Sequence, residues 1–224
     1  KRIGAIERKA KSGDKESEKI YKVYTQAREH LFSGNSIRSL EIDEGLFKFL
    51  DELQLITAKP VIYVCNVDES SVVNGNEHVD NVKELVANEN AEIVVLGAGI
   101  ESDIAELDDF EERKMFLEDL GLEEPGVSKL IKNAYSLLNL QTYFTAGEKE
   151  VRAWTIKKGM TAPQAAGVIH TDFEKGFIKA EVIKFSDFVE YGSESSVKEA
   201  GKLMIQGKEY VVNDGDVMHF RFNV

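Results

Sequence analysis

The chain has 224 residues, of which 42% are hydrophobic and 30% are charged, and its formal net charge is −12. This length and apolar content suit one or two folded domains and exclude a disordered chain. The acidic balance argues against a general nucleic-acid binder, and the sequence has no run of about 18 apolar residues that could span a membrane. The single cysteine, Cys65, excludes a disulfide framework and favours a cytoplasmic location. The chain begins Lys-Arg-Ile-Gly inside a helical pattern, which indicates a fragment of a longer protein.

The net charge is unevenly distributed along the chain. Residues 1–30 carry a balance of +4, residues 31–139 a balance of −15, and residues 140–224 a balance of −1. A basic amino-terminal segment on an acidic body can dock on phosphate groups while the body is repelled. The alternative is a basic helix surface that serves solubility alone. The basic residues of this segment that we regard as contact candidates are Arg2, Arg8, Lys9 and Lys11.

The first 58 residues read as a helical arm and a connecting helix. Apolar residues recur at helical spacing up to residue 12, Ser12-Gly13-Asp14 breaks the pattern, and the spacing resumes from Ile20 to Leu31. Two amphipathic helices joined by a tight turn form a helical hairpin. Asp43 can cap a further helix. We expect its inward positions to be Leu46, Phe47, Leu50 and Leu53.

Residues 59–139 alternate between strands and helices. Two short apolar runs, Val61–Cys65 and Glu92–Leu96, read as strands of a parallel sheet, the first of them buried on both faces. Two strands are too few, so we expect another segment or another chain to complete the sheet. The predicted helices span 77–88, with Val79, Val82, Leu85 and Val86 inward, 101–120, with Ile104, Leu107, Phe110 and Phe116 or Leu117 inward, and 126–139.

Residues 140–224 read as an α+β domain. Strands are predicted at 142–145 and 151–156 around a turn at Ala146-Gly147-Glu148, then a helix from Thr161 to His170 and a strand at 177–185. A short helix at 195–202 and a hairpin of 208–212 with 217–224 around Asn213-Asp214-Gly215 follow. This succession describes a β-grasp, ubiquitin-like module. On the last strand the aromatic positions suit the core, which leaves His219 and Arg221 outward, to contact RNA or protein or to form a solvated face.

Polar and small residues follow both strands of the middle region. Asn66 and Glu69 come directly after the first strand, and Gly97-Ala98-Gly99 follows the second. Ligands of open α/β sheets bind at the carboxyl ends of the strands, and the Asn amide with the Glu carboxylate suits the edge of a flat heterocycle. The structural alternatives are an Asx-type turn after Asn66 and an ordinary strand-to-helix turn at the glycines.

The residues that would hold phosphate are missing from the chain. A P-loop needs Gly, four residues, then Gly-Lys and Ser or Thr. The two Gly-Lys pairs, Gly201-Lys202 and Gly207-Lys208, lack both the earlier glycine and the later hydroxyl. The four histidines show no metal-binding spacing, and Cys65 in an apolar strand lacks the exposed setting of a nucleophile. We therefore expect this chain alone to bind nucleotide weakly and to be inactive in hydrolysis.

Several long stretches resemble one known family. The chain reads Leu140-Gln-Thr-Tyr-Phe-Thr-Ala-Gly-Glu-Lys-Glu-Val-Arg-Ala-Trp-Thr-Ile, then Thr161-Ala-Pro-Gln-Ala-Ala-Gly167 and His170-Thr-Asp-Phe-Glu-Lys-Gly176-Phe177, and ends Asn213-Asp-Gly-Asp-Val-Met-His-Phe-Arg-Phe-Asn-Val224. These stretches are similar to the TGS domain of the YchF-type ATPases, a branch of the Obg-like P-loop family. The resemblance covers the whole chain but only the later two thirds of the family's architecture.

The resemblance implies a division of the chain and roles for its residues. It implies a helical hairpin (coiled-coil) arm with a connecting helix at 1–58, the second half of a P-loop nucleotide-binding domain at 59–139, and a TGS β-grasp domain at 140–224. Asn66-Val67-Asp68-Glu69 resembles the base-recognition motif that replaces Asn-Lys-x-Asp of ordinary GTPases, a change that the family associates with a preference for ATP over GTP. Gly97-Ala98-Gly99 falls where the family has a small-Ala-Lys loop, and here Gly99 departs from the Lys.

Two functional hypotheses follow from the resemblance. In the first, the intact protein is a ribosome-associated ATPase that uses ATP, or else GTP, with Mg²⁺, and its phosphate loop and Mg²⁺ ligands lie outside this chain. In the second, the chain is a non-enzymatic module that docks on ribosomal subunits or RNA through Arg2, Arg8, Lys9, Lys11, His219 and Arg221.

Overall fold

The computed structural model describes residues 2–89, 91–147 and 150–223. The chain forms two compact units, Lys1–Asn133 and Ala134–Val224. The predicted positions Lys1, Glu148 and Val224 lie outside the described residues. Both units combine helices with strands, so the predicted α/β class is confirmed, with a mixed sheet. Within the described residues, no helix is both long enough and apolar enough to cross a membrane.

Among the described residues, the first unit contains seven α-helices and two strands, besides three short 3-10 turns. In chain order they are α1 (Arg2–Lys11), α2 (Lys15–Phe32), α3 (Glu44–Asp51), β1 (Ile62–Asn66), α4 (Glu77–Val86), β2 (Glu92–Leu96), α5 (Ala98–Glu106), α6 (Phe110–Asp119) and α7 (Gly126–Leu137), which contains the boundary between the units.

Helices α1 and α2 are joined by a tight turn, as the break in the apolar spacing predicted. Gly13 adopts a φ of +89°, and the Asp14 carboxylate accepts from the Ser17 N–H at 3.1 Å to cap α2. Val23 and Ala27 of α2 are buried against Leu50 of α3. The expectation that Phe47 faces inward is wrong, because Phe47 is 42% exposed and the neighbouring Phe49 is buried instead.

Strands β1 and β2 pair in parallel, from Ile62 opposite Glu92 to Asn66 opposite Leu96, which confirms the predicted pairing. The expectation that β1 is buried on both faces is wrong for this chain, since Val64 is 46% exposed. In α4, Val79 is buried but Leu85, predicted to point inward, is exposed. An apolar side chain near a helix end need not face the core when no element covers it.

The single helix predicted over 101–120 is two helices, α5 and α6. The Asp109 carboxylate accepts from the N–H groups of Glu111 and Glu112 at 2.8 and 3.1 Å, so a new helix starts there. Ile104 and Leu117 are buried as predicted, but Phe110, expected on the inner side, is 74% exposed. The break changes the helical phase, which explains why the periodicity placed Phe110 wrongly.

The second unit is a five-stranded mixed sheet with helices on both faces. Its elements are β3 (Leu140–Ala146), β4 (Val151–Lys157), α8 (Ala162–Ile169), α9 (Thr171–Lys175), β5 (Phe177–Ile183), α10 (Phe185–Tyr191), α11 (Glu194–Glu199), β6 (Met204–Gln206) and β7 (Val217–Phe222). The strand order is β4-β3-β7-β5-β6, and the β3–β7 pair is parallel whereas the other pairs are antiparallel.

Each face of the sheet has its own core. Buried alanines of α8 pack with Tyr143, Ile156 and Met218 on one face. Ile183 and Val217 on the other face pack with Val197 of α11. The alternation predicted for β7 is observed, with Met218 and Phe220 buried and His219 and Arg221 exposed.

The predicted hairpin of 208–212 with 217–224 is wrong. The strand before β7 is β6, and it pairs with β5, while β7 lies between β3 and β5. Residues 207–216 form a loop that Asp216 holds in place. Its fully buried carboxylate accepts from Lys184 Nζ at 2.6 Å, from the Tyr210 hydroxyl at 2.7 Å and from the Asn213 N–H at 2.9 Å. The predicted strand at 177–185 ends at Ile183, because Lys184 is the N-cap of the unpredicted helix α10.

Candidate functional site

The carboxyl ends of β1 and β2 lie side by side, because the two strands are parallel and Asn66 is opposite Leu96. The exposed Asn66 side chain accepts from the Ala98 N–H through Oδ1, at 2.9 Å. The Val67 N–H donates to the Leu96 carbonyl, also at 2.9 Å. These two hydrogen bonds join the loop after β1 to the loop after β2. The structure therefore brings together Asn66, Val67, Gly97 and Ala98 of the predicted site.

The two glycines of the bend differ in their surroundings. Gly97 is buried, and a Cβ there would lie 3.4 Å from the Val67 carbonyl oxygen and 3.3 Å from Ile100 Cδ1. The close packing of this position against the loop after β1 thus explains why the residue is a glycine. Gly99 is exposed in the first turn of α5, and a Cβ there would meet nothing within 4 Å. Open space therefore lies beside the bend at Gly99.

Glu69 begins a short 3-10 turn, Glu69–Ser71, and is exposed. Asp68, the residue before this turn, accepts hydrogen bonds from Ser71 and Ser70 and so stabilises the turn. The same hydrogen bonds lower the pKa of Asp68 below its ordinary value of 3.8. The hydrogen bonds of the described residues do not join Glu69 to Asn66 or to the glycine bend. Glu69 thus follows Asn66 closely in sequence, and its side chain is exposed to solvent.

Two residues that position this edge, Glu101 and Gly126, were not predicted from the sequence. The Glu101 carboxylate accepts from the N–H groups of Gly126 and Val127 at 2.6 and 3.1 Å and so caps α7. A Cβ on Gly126 would lie 2.6 Å from Leu96 Cβ, so only glycine allows α7 to start against the end of β2. The Pro125-Gly126 pair at a helix start was the available sequence signal.

The basic candidates occupy two separate places. Arg8, Lys9 and Lys11 are exposed in the last turn of α1, where Lys11 Nζ lies 2.8 Å from a Glu7 carboxylate oxygen. Arg2 donates to the Glu52 carbonyl at 3.0 Å. In the second unit His219 and Arg221 share the exposed side of β7, and the Arg221 guanidinium lies 3.4 Å from a Glu181 carboxylate oxygen. Ion pairing therefore offsets part of the positive charge at both places.

The described residues bring no three His, Cys, Asp or Glu side chains together in a way that could hold a metal ion. The described part of the candidate edge supplies an amide, backbone N–H groups and exposed carboxylates, which can hydrogen-bond to the donors and acceptors of a heterocyclic base.

Comparisons with known proteins agree on one family. The family model YchF-GTPase_C, described as "Protein of unknown function (DUF933)", matches residues 140–223. A protein of Bacillus subtilis (strain 168) named "Ribosome-binding ATPase YchF" is 51% identical over 226 residues, which cover 100% of this chain and 62% of that protein. A protein of the same name from Haemophilus influenzae is 51% identical over 222 residues, covering 99% of this chain and 61% of that protein.

A solved structure is also similar to the chain. The "Structure of the Schizosaccharomyces pombe YchF GTPase" matches with a TM-score of 0.80 and 32% identity, over 98% of this chain and 60% of that one. The chain spans about three fifths of the length of the curated relatives it matches. These matches confirm the predicted resemblance to the YchF family, and they extend it over the whole length of this chain.

Proposed function

We propose that the chain supplies the base-recognition side of the nucleotide site in a cytoplasmic, ribosome-associated ATPase. The observation that carries the proposal is the hydrogen bond from the Ala98 N–H to Asn66 Oδ1, which fixes an exposed amide at the carboxyl edge of two parallel strands. The names of the relatives support both the ATPase activity and the ribosome as partner.

Adenine is the base that the proposed site fits. With Oδ1 engaged by Ala98, the Asn66 amide keeps its N–H groups for a ring nitrogen of the base. The exposed Glu69 carboxylate accepts hydrogen bonds only, so it suits the exocyclic amino group of adenine and is repelled by the O6 carbonyl that guanine has at that position. The exposed backbone of Ala98 and Gly99 would form the wall on which the base rests, and Val67 and the buried Gly97 would support it from behind.

Phosphate and Mg²⁺ would be held by residues outside this chain, since its sequence contains no P-loop. The triphosphate supplies most of the electrostatic attraction in a nucleotide site, and a base contact alone is weak. We therefore expect millimolar binding of ATP to the chain, with no hydrolysis. The intact protein would hydrolyse ATP in preference to GTP.

The division of the chain is part of the proposal. Residues 1–58 would form a coiled-coil arm with its connecting helix, residues 59–139 the second half of a P-loop domain, and residues 140–224 a TGS domain. The strand order β4-β3-β7-β5-β6, with α8 packed on the sheet, supports a β-grasp fold for the last of these.

Nuclear magnetic resonance titration of the chain with ATP and with GTP tests base recognition. ATP should shift the amide signals of Val67, Ala98 and Gly99 at millimolar concentration. Asn66→Asp keeps the acceptor for Ala98 but loses the amide donors, so the bend should stay intact while the shifts disappear. Asn81→Ala, at an exposed position on α4, is the matched control and should leave the shifts unchanged. Micromolar affinity, tighter binding of GTP, or full binding by Asn66→Asp would contradict the proposal.

A second candidate function is docking on ribosomal subunits or RNA without catalysis. The exposed basic residues of α1 and β7 favour it. Co-sedimentation with ribosomal subunits should be lost when Arg2, Arg8, Lys9 and Lys11 are all changed to Glu, and should weaken steeply with salt. Lys198→Glu, exposed on α11, is the control. Binding that survives the reversal and depends on ATP would favour the ATPase function over docking by this basic segment.

A further inference from the structure

Strand β4 lies at the outer edge of the five-stranded sheet and pairs with β3 along its length. The Lys158 N–H donates to the Asn139 carbonyl at 2.8 Å, and the Glu150 carbonyl accepts from the Gly147 N–H at 3.0 Å. The even-numbered residues from 150 to 158 therefore direct their backbone groups toward β3. Because backbone groups alternate in direction along a strand, the odd-numbered residues direct theirs to the open edge.

The residues that present this open edge are all exposed; they are Val151, Ala153, Thr155 and Lys157. The Lys157 carbonyl accepts from the Met160 N–H at 3.2 Å. Within the described residues, no hydrogen bond uses the other seven outward backbone groups, four N–H and three C=O. Such a row of alternating donors and acceptors matches the backbone of an extended polypeptide, and neither a folded helix nor a nucleic acid presents the same repeat.

The side chains beside this edge are mainly basic. Arg152, Lys157 and Lys158 are exposed there, with Glu150 as the acidic neighbour. The Arg152 guanidinium carbon lies 4.1 Å from the centre of the Trp154 ring, which holds the cation over an aromatic platform. A second copy of β4 would bring two such sets of cations together and be repelled. An acidic strand would be attracted.

We propose that β4 binds an extended acidic segment of another protein, which adds a sixth strand to the sheet. Acidic side chains on one face of the added strand would meet Arg152, and those on the other face would meet Lys157. The 73% exposed Val151 offers apolar contact to a β-branched residue of the partner. Basic residues on an edge also protect it from self-association, and the same charges select an acidic partner.

Hydrogen exchange tests the proposal with a defined probe, the peptide acetyl-Asp-Asp-Val-Asp-Val-Asp-Asp-amide, which carries aspartates on both faces of an extended strand. The added strand should slow exchange of the outward amides of Val151, Ala153, Thr155 and Lys157 by about tenfold or more, because each gains a hydrogen-bond acceptor. The same peptide with alternate amides N-methylated keeps its charge and side chains but loses the donors on one edge, and it should not bind. Equal binding of both peptides, or unchanged exchange at the four amides, would overturn the proposal.

Two variants separate backbone pairing from charge. Ala153→Pro removes an outward N–H and leaves the hydrogen bonds to β3 in place, so it should abolish protection while the sheet persists. Arg152→Glu combined with Lys157→Glu should weaken binding by about tenfold or more without changing the backbone, whereas Lys198→Glu on α11 should have no effect.

If Ala153→Pro does not fold, the charge variant and the methylated peptide decide the result. Oligouridylate binding that requires Arg152 and displaces the peptide would assign the edge to RNA and overturn the proposal.

Discussion

At the scale of single residues, three glycines near the candidate site have three different roles. Gly97 permits contact with the loop after β1, Gly126 permits contact with the end of β2, and Gly99 stands beside open space. From the sequence, Gly97 and Gly99, which follow β2, suggested one shared role: both would let a ligand approach the backbone closely. Of the three glycines, only Gly99 has open space beside it, because protein atoms already fill the space beside the other two.

Gly126→Ala and Gly99→Ala form a matched pair of stability tests. A Cβ on Gly126 would meet Leu96 Cβ at 2.6 Å, so the first variant should destabilise the first unit by about 1–3 kcal/mol. Gly99→Ala adds a methyl group to a helix in open space and should stabilise by up to about 1 kcal/mol. Urea unfolding followed by circular dichroism measures both. Equal effects would mean that the contact between α7 and β2 is not as tight as the structure indicates.

Asp216 should be the most sensitive polar residue of the second unit. Asp216→Ala leaves the Tyr210 hydroxyl and the Asn213 N–H without their acceptor and Lys184 without its counter-ion. We expect a loss of about 2–3 kcal/mol, at the lower end of the range for buried pairs because the Lys184 side chain is 39% exposed.

Glu181→Ala is the control for Asp216→Ala, since its partner Arg221 is 54% exposed and the pair should contribute less than about 1 kcal/mol. The fluorescence of Trp154, the single tryptophan of the chain, reports unfolding of this unit selectively. A loss from Asp216→Ala no larger than that of the control would contradict the assigned role of the carboxylate.

At the scale of elements, the sequence predicted those helices and strand pairs that depend on residues close together in the chain. The β1–β2 pair, the β3–β4 hairpin and the start of α8 at Thr161 all follow from local signals such as apolar runs, turn residues and a Thr cap followed by Pro in the first turn. The division of α5 from α6 was missed because Ile104, Leu107 and Phe110 continue a helical spacing of apolar residues across the break. The β6–β5 pairing was missed because it joins two segments that are far apart in the chain, and no local signal specifies such a pairing.

The cap of α6 can be tested with two adjacent aspartates. Asp109→Ala removes the acceptor for two backbone N–H groups and should cost about 1 kcal/mol of unfolding free energy. Asp108→Ala changes an exposed neighbour of the same charge and should cost less than about 0.5 kcal/mol. Urea denaturation of both variants provides the comparison. If both variants behave alike, the break between α5 and α6 does not depend on the cap.

At the scale of the whole molecule, the second unit should lose stability in alkali. Burial opposes the charge on Lys184, but hydrogen bonds to Asp216 and Tyr210 outweigh it and raise the pKa of Lys184 above its ordinary 10.5. Burial, reinforced by Asp216, raises the pKa of Tyr210 above its ordinary 10.0. Above about pH 10 the folded state therefore holds more protons than the unfolded state, and its stability falls as the pH rises.

Urea midpoints read from Trp154 fluorescence between pH 7 and pH 11 measure this alkaline loss. The midpoint should stay constant up to about pH 9.5 and then decrease. Tyr210→Phe, which cannot ionise at this position, should show a shallower decrease from its own starting value. A midpoint that is constant through pH 11 would show that Lys184 and Tyr210 bind their protons equally in the folded and unfolded states.

The second unit should also fold when produced alone as residues 134–224. It has buried clusters on both faces of its sheet, and the family model matches residues 140–223 within it. About 90 residues suffice for an independent core. A single cooperative transition of Trp154 fluorescence and well-dispersed amide signals are the expected results. A molten or aggregated product would mean that residues before 134 are required for folding.

The position of β7 has a consequence for how this protein is made. This strand follows the other four in chain order, yet it lies in the centre of their sheet, between β3 and β5. During translation the β3–β4 and β5–β6 pairs can each form early, but they remain two separate ribbons until β7 emerges. A chain that stops at Gly215 would therefore present unpaired strands to chaperones, because it lacks the strand that joins the two pairs.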